Sequence, residues 1–113
     1  MSVTLAEVRR VAFGLQEVTE EPHHEMASFR VRGKIIATVP DPEHVRLMLD
    51  EHEIRAAASE NPQSFHEFYC GKRLACLVVD LPDVTLPQVR ELLTEAWLRN
   101  APPTLTRQFP SGT

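Results

Sequence analysis

The chain has 113 residues, of which 42% are hydrophobic and 25% are charged, and its formal net charge is −4. This length suits a single domain with one modest core, and the composition is that of a folded protein rather than a disordered one. The pI of about 5.7 lies far below the value above roughly 9 that is common in nucleic-acid-binding domains, so the overall charge argues mildly against that partner.

No segment has the composition of a membrane span or an export signal. The longest apolar run, residues 74–79, is much shorter than the roughly 20 residues that cross a bilayer. The N-terminus has no basic stretch followed by an apolar core. The two cysteines, Cys70 and Cys76, do not suffice for a disulfide framework. We therefore expect a cytoplasmic protein with reduced thiols and no membrane partner.

The first predicted element is a helix. Thr4 and Glu7 have the spacing of a capping box, and apolar residues recur at helical spacing as far as Leu15. The following segment, from Glu17 to Glu25, is acidic and contains Pro22, and we expect a loop there.

Strands follow this loop. Apolar and basic residues alternate over residues 29–31 and an apolar segment returns over residues 35–39, which predicts a hairpin with Gly33 in its turn. After Pro40 and Pro42, a third strand is predicted to point Arg46 and Met48 outward. Its expected inward residues are Val45, Leu47 and Leu49.

The second half begins with a thin helix that starts at Asp50 and ends near Glu60. Residues 65–69 are aromatic and are compatible with an extended segment, and Gly71 marks a turn or bulge. Residues 74–81 are apolar on both faces, which is typical of a central, covered strand.

The last helix has the strongest signals. Thr85 and Gln88 form a second capping box, and a stripe of apolar residues includes Trp97. We expect Trp97 and Phe13 to belong to the core, and the tail from about residue 104 to be loosely ordered. The element order α-β-β-β-α-β-α predicts a single α+β domain over residues 1–113, with a mainly antiparallel sheet and helices packed against it.

Six stretches of sequence also carry a family pattern through their order and spacing: VTEEPHH, FRVRGKIIATV, LMLDEHE, CGKRLACLVVDL, LPQVRELLTEAW and APPTL. From Leu5 to about Leu105 the chain resembles the YjbR/MmcQ family. The resemblance implies an α+β fold similar to type III secretion chaperones and the frataxin-like CyaY group. It also implies a protein of the kind commonly labelled DNA-binding, with no assigned enzymatic residues and no cofactor.

The most prominent candidate site is basic. Residues 27–39 and residues 72–79 contain no acid. If the hairpin and the long strand share a sheet, five cations could form one positive surface that neutralises phosphates. The alternative is a solvated outer face that keeps the sheet soluble. Aromatic residues are few on this surface, so stacking on single-stranded bases is not expected. The five cations are Arg30, Arg32, Lys34, Lys72 and Arg73.

Other chemistries have weaker patterns. His23 and His24 are adjacent, and side chains of adjacent residues on an extended segment point apart. His66 and Cys70 have the spacing of a helix face, but on a strand they would be roughly 13 Å apart and could not chelate a metal together. Cys70 lies beside two cations that would favour its thiolate, although an ordinary structural thiol is the simpler interpretation. We expect no metal and no catalytic residue.

Two functions remain. The first is nonspecific DNA binding by backbone contacts through the five cations, because no helix is basic enough to read a major groove. The alternative is a protein-interaction or chaperone-like module, which the acidic net charge and the lack of catalytic residues favour.

Overall fold

The computed structural model describes residues 3–108. Within them, Leu81–Asp83 forms a single 3₁₀ turn. The other elements are α1 Leu5–Phe13, β1 Val18–His23, β2 Met26–Val31, β3 Lys34–Asp41, β4 His44–Leu47, α2 Glu51–Glu60, β5 Phe65–Cys70, β6 Arg73–Asp80, α3 Leu86–Asn100 and α4 Pro103–Thr106.

The six strands form one sheet in the order β1-β2-β3-β4-β6-β5, and every neighbouring pair is antiparallel. The α+β fold class predicted from the sequence is therefore confirmed. The observed order has two more strands than the predicted one, namely β1 and β5. Both lie at the edges of the sheet, where a strand needs only one partner and so carries a weaker sequence pattern.

The register gives the sheet two chemically different faces. Residues opposite each other on antiparallel strands share a face. One face packs against the helices and its central row is fully buried; this row consists of Phe29, Ala37, Leu47 and Leu77. We call the other one the open face. Its central row consists of Ser28, Thr38, Arg46, Val78 and His66.

The helix boundaries follow the predicted caps. The Thr4 hydroxyl accepts from the Glu7 amide at 3.2 Å, and the Thr85 hydroxyl accepts from the Gln88 amide at 3.3 Å. Both capping boxes are complete, because the Glu7 and Gln88 side chains accept in return from the cap amides. Asp50 caps α2 by accepting from the Glu53 amide at 2.8 Å. These local signals fix where the helices begin.

The predicted loop over residues 17–25 is wrong. Most of this segment is β1, which pairs along its whole length with β2. Its acidic residues and Pro22 are compatible with a strand because β1 is an edge strand, which has one side free of ladder hydrogen bonds. The sequence of β1 does not show that its partner is β2, and β2 supplies the hydrogen bonds that make this polar segment extended.

The core confirms one aromatic prediction and contradicts another. Trp97 is fully buried, and its indole N–H donates to the Gln16 carbonyl oxygen at 2.9 Å. Phe13 was expected in the core, but 49% of it is exposed. It is the last residue of α1, and its ring contacts buried Phe29 edge to face, with ring centroids 5.9 Å apart.

The C-terminal tail begins with structure rather than as a loose segment. Residues Pro103–Thr106 form α4, and Leu105 is only 2% exposed. The rest of the predicted loose tail, residues 109–113, lies outside the described residues.

Candidate functional site

The chain direction gives the sheet two different ends. The turn between β2 and β3 and the turn between β5 and β6 lie at the same end, because β2 and β5 run in the same direction through the antiparallel order. We call this the basic end, because four of the five predicted cations lie in or next to these turns: Arg32, Lys34, Lys72 and Arg73. The opposite end carries the turn between β3 and β4 and the last residue of β6.

Left-handed backbone conformations produce both basic turns. Gly33 has φ 84° and Gly71 has φ 64°, values that glycine adopts without steric cost. Arg32 has φ 49°, which is unusual for a residue with a side chain. The turns are therefore tight, and the cations beside them start from well-defined backbone positions.

The two turns are separated by three strand spacings. The first lies between the second and third strands of the sheet order, and the other lies between the fifth and sixth. At about 4.8 Å per strand, the distance between the turns is roughly 14 Å. This separation is close to the major-groove width of about 12 Å in B-DNA.

Three of the cations at the basic end have unpaired charges. Lys34, Lys72 and Arg73 are exposed, and within residues 3–108 none of them forms an ion pair with a carboxylate. An exposed cation without a protein partner keeps its charge available to an external anion.

Arg32 is different, because it forms a two-pronged ion pair with Glu17. Its Nε donates to Glu17 Oε1 at 2.8 Å, and a terminal nitrogen donates to Oε2 at 3.1 Å. The hydrogen bond from Arg32 lowers the pKa of Glu17, and Glu17 raises the pKa of Arg32. Arg32 therefore lies at the basic end but is locally neutralised.

Arg30 does not reach the basic end. Its Nε donates to Ser28 Oγ at 3.1 Å, and a terminal nitrogen donates to the Pro22 carbonyl oxygen at 3.3 Å. The Ser28 hydroxyl in turn donates to the Glu21 carbonyl oxygen at 2.7 Å. These bonds tie β2 to β1, so Arg30 has a structural role in the sheet and separates from the other four cations.

Two further cations lie outside the acid-free segments of the sequence. Arg99 lies at the end of α3 and lines the same shallow depression as Gly33 and Lys34. Arg46 lies at the centre of the open face, with its guanidinium 4.4 Å from the centroid of the Phe68 ring. The alternation over residues 45–49 did predict that Arg46 points outward, which was the available signal.

The open face also carries an aromatic ring that the sequence analysis did not place there. Phe68 is 37% exposed and lies opposite Cys76 on β6. Arg46 Nε is buried and has no hydrogen-bond partner among the described residues. The Arg46 guanidinium thus covers one side of the Phe68 ring, which limits its use as a stacking platform for bases.

The end opposite the basic end, which we call the histidine end, holds a chain of alternating imidazoles and carboxylates. The His44 ring contacts two carboxylates, with Nδ1 2.8 Å from Asp41 Oδ1 and Nε2 3.1 Å from Asp80 Oδ1. His66 Nε2 lies 3.0 Å from Asp80 Oδ2. Sequence spacing relates His66 to Cys70 rather than to Asp80, which reaches His66 only through the pairing of β5 with β6.

The geometry of His44 favours its charged form. Ionised carboxylates only accept hydrogen bonds, so both His44 nitrogens can donate only when the ring is protonated. The bond to Asp41 accordingly raises the pKa of His44, and the same bond lowers the pKa of Asp41. The histidine end is therefore internally paired, in contrast to the basic end.

The remaining sequence candidates do not converge on a site. His66 and Cys70 lie four residues apart on strand β5, which separates them by roughly 13 Å at the usual rise of a strand. His23 and His24 were expected to point apart, but their ring centroids are 4.5 Å apart because His24 adopts a left-handed turn conformation with φ 58°. Within residues 3–108 no cluster of three or more His, Cys, Asp or Glu side chains is placed to hold a metal ion.

Comparison with known proteins gives one family and one solved structure. The YjbR family model matches residues 13–99. The crystal structure of the Deinococcus radiodurans protein DR2400, a DUF419 domain, superposes with a TM-score of 0.72 at 24% identity, covering 85% of this chain and 77% of that chain. This structural likeness supports the fold. No curated protein matches the chain. Among residues 3–108, no helix combines the length and the apolar character that crossing a membrane requires.

Proposed function

The chain belongs to the YjbR family, and from this premise we propose that it is a cytoplasmic, non-enzymatic protein that binds double-stranded DNA without sequence specificity. Its contacts are to backbone phosphates, and they come from the basic end of the sheet. Lys34, Lys72 and Arg73 are the principal phosphate contacts, with Arg99 at the margin.

One observation carries this proposal: three exposed, unpaired cations lie on two tight turns at one end of the sheet. The separation of roughly 14 Å between the turns lets side chains of Lys34 on one turn, and of Lys72 and Arg73 on the other, approach phosphates on the two walls of a major groove. Phosphate contacts release condensed counterions, which supplies most of the free energy of nonspecific binding.

The net charge of −4 does not oppose this local contact strongly. At physiological salt, exposed charges farther apart than about 8 Å are largely screened from one another. The acids that are paired elsewhere, such as Glu20 with Arg9 and Asp41 with His44, contribute little field at the basic end. A weak, strongly salt-dependent affinity is the expected result.

Sequence-specific binding is not supported by α2 or α3, the two longest helices. The first turn of α2 carries Glu51 and Glu53, and its last turn carries no cation. The long helix α3 buries Val89, Leu93 and Trp97 against the sheet. Neither helix offers an exposed basic face that would enter a major groove and reach base edges.

A salt titration tests the proposal directly. Fluorescence anisotropy with a short labelled duplex should give a log–log slope of affinity against salt of roughly −2.7, which is about 0.9 for each of three phosphates. A second duplex of unrelated sequence should give the same slope and affinity. The absence of binding at low salt, or a strong difference between the duplexes, contradicts the proposal.

A protein-interaction role is the second candidate, and a separate observation favours it. Strand β5 leaves one edge of the sheet open and exposes aromatic side chains along it. That edge uses none of the cations of the basic end, so the two roles can be tested independently.

A further inference from the structure

The open edge of β5 is the most apolar exposed segment of the sheet. Five of its six residues are exposed. Of the three large hydrophobic residues that are exposed within residues 3–108, two lie on this strand, Phe68 at 37% and Tyr69 at 44%; the third is Phe13. Phe68 and Tyr69 are neighbours in sequence and so lie on opposite faces of the strand, which exposes one aromatic side chain on each side of the open edge.

The opposite edge of the sheet is better protected against strand addition than β5. Strand β1 contains Pro22, which cannot donate to a ladder, and the acids Glu20 and Glu21. Strand β5 has neither proline nor lysine in its sequence FHEFYC. The β5 edge is therefore the less protected of the two, because its only acid is Glu67 and the bulge beside it lies in β6.

The backbone hydrogen bonds show which groups of β5 are free. The Asp80 amide donates to the Ser64 carbonyl oxygen at 2.9 Å, just before β5 begins. Because antiparallel pairs alternate, the next residue points its N–H and C=O away from β6. The extra residue of the bulge belongs to β6, so this alternation continues along β5. The free backbone groups are the Phe65 C=O and the N–H and C=O of Glu67 and Tyr69, because the Phe65 N–H donates to the Asn61 carbonyl oxygen at 3.0 Å.

These free groups restrict how β5 can pair with an identical strand. Residues that exchange hydrogen bonds across the open edge must both be odd-numbered, which leaves two central registers. One register centres on Glu67 and sets it against Glu67 of the second copy, which is unfavourable for like charges. The other centres on Phe68, and it sets Glu67 against Tyr69 of the second copy and His66 against Cys70 of the second copy.

In the register centred on Phe68, the side chains of Glu67 and Tyr69 face each other across the two copies, and the same two side chains already form a hydrogen bond within one chain. The Tyr69 hydroxyl donates to Glu67 Oε1 at 2.8 Å along the same strand, and the second copy would present the same two groups directly opposite. Arg46 holds the Phe68 ring on the open face. A two-fold axis perpendicular to the sheet therefore brings the two Phe68 rings together on one side.

We infer that β5 of one copy pairs antiparallel with β5 of a second copy, about a two-fold axis beside Phe68, so that the two sheets become one continuous sheet. The interface covers only one six-residue strand from each copy, so we expect it to bury less than the roughly 1,200 Å² at which stable interfaces begin. The dimer is therefore weak and depends on protein concentration.

Disulfide trapping tests the register. In this register residues 66 and 70 of the two copies form a non-hydrogen-bonded pair, with Cα atoms roughly 4.5 Å apart, which is within disulfide reach. In one chain the same positions are roughly 13 Å apart on the strand. The His66→Cys variant should therefore form a covalent dimer through native Cys70 when oxidised glutathione accepts the two electrons and two protons of the thiols.

Two variants control the trapping experiment. His66→Cys combined with Cys70→Ser should stay monomeric on a denaturing gel, because the introduced thiols of the two copies lie far apart in this register. Thr19→Cys places an exposed thiol on the protected edge and measures random collision. Cross-linking of His66→Cys no faster than that of Thr19→Cys would overturn the inference, and so would cross-linking that persists without Cys70.

Sedimentation equilibrium over a range of concentrations gives an independent readout. The wild type should pass from monomer to dimer as its concentration rises. Phe68→Lys sets two like charges against each other at the axis and should weaken the dimer about tenfold or more. The matched control Phe13→Lys, at the third exposed aromatic, should leave it unchanged. A wild type that stays monomeric at every concentration overturns the inference. The open edge would then be available for pairing with an extended segment of another protein.

Discussion

The two ends of the sheet carry similar numbers of ionisable side chains but arrange them in opposite ways. At the histidine end, carboxylates and imidazoles alternate and contact one another, in the order Asp41, His44, Asp80 and His66. At the basic end, Lys34, Lys72 and Arg73 have the same sign and no acidic partner within residues 3–108. Paired charges act on the stability of the fold, whereas unpaired charges of one sign remain available to a ligand. The predictions below test this contrast, beginning with the largest expected effect.

Reversing the charge at one basic turn should strongly weaken DNA binding. The double variant Lys72→Glu/Arg73→Glu removes two phosphate contacts and adds repulsion, so affinity at low salt should fall by more than about tenfold. The matched control is Arg10→Glu/Arg90→Glu, which changes the net charge equally at exposed positions on the helices. Equal losses for both double variants, measured by anisotropy, would mean that only the net charge matters.

Releasing Arg32 from Glu17 should strengthen DNA binding. Glu17→Gln removes the carboxylate that neutralises Arg32, and the freed guanidinium gains access to one phosphate. The salt slope should become steeper by up to about 0.9. Glu20→Gln is the matched control, because it frees Arg9 from a similar two-pronged pair on the helix side of the sheet. An unchanged slope for Glu17→Gln would show that Arg32 does not contact a phosphate even when its carboxylate partner is removed.

The histidine end should make stability depend on pH without affecting DNA binding. Because folding raises the pKa of His44, its contribution is complete below the ordinary value of 6.5 and is lost as pH rises through the raised pKa. Folding lowers the pKa of Asp41, so its contribution is present above the ordinary value of 3.8 and is lost as pH falls through the lowered pKa.

Urea unfolding across this pH range measures the effect. The His44 ring is 37% exposed, so solvent screening should limit its contribution to less than about 1 kcal/mol. The His44→Gln variant should flatten the alkaline side of the profile. A wild-type stability that stays constant as pH rises through the raised pKa of His44 would contradict the assignment of a charged ring.

Arg46 should have the smallest effect on DNA binding. Its guanidinium stacks on Phe68 and its Nε is buried, so reaching a phosphate would cost it these contacts. Arg46→Ala should therefore change the salt slope by less than about half the value for one phosphate, whereas Lys34→Ala should reduce it by about 0.9. Equal reductions for both variants would extend the binding surface from the basic end onto the open face.

The parts of the fold that the sequence predicted are those with local causes. The capping pairs Thr4–Glu7 and Thr85–Gln88 and the turn at Gly33 involve residues at most three positions apart, and all of them are present as expected. Strand β1 was missed because its extended form depends on pairing with β2, and beyond Val18 and Thr19 the segment VTEEPH has no residue that favours a strand.

The same distinction applies to the candidate site. The basic segments were visible in the sequence, but the pairing of Arg32 with Glu17 spans fifteen positions and depends on the start of β1. The contact of His66 with Asp80 spans fourteen positions and depends on the register of β5 against β6. Ion pairs of this kind depend on which strands are neighbours in the sheet. The sequence therefore shows where the cations are, but not which of them are neutralised by an acid.

Amide chemical-shift mapping with a DNA duplex tests the contrast between the two ends most directly. In ¹H–¹⁵N spectra, we expect the shifts on adding duplex to be largest at the two turns, residues 32–34 and 71–73, and to diminish as salt is added. Residues 41–44 and residue 80, at the histidine end, should be unaffected. Shifts that are centred on the histidine end, or that spread evenly over the surface, would contradict the assignment of DNA binding to the basic end.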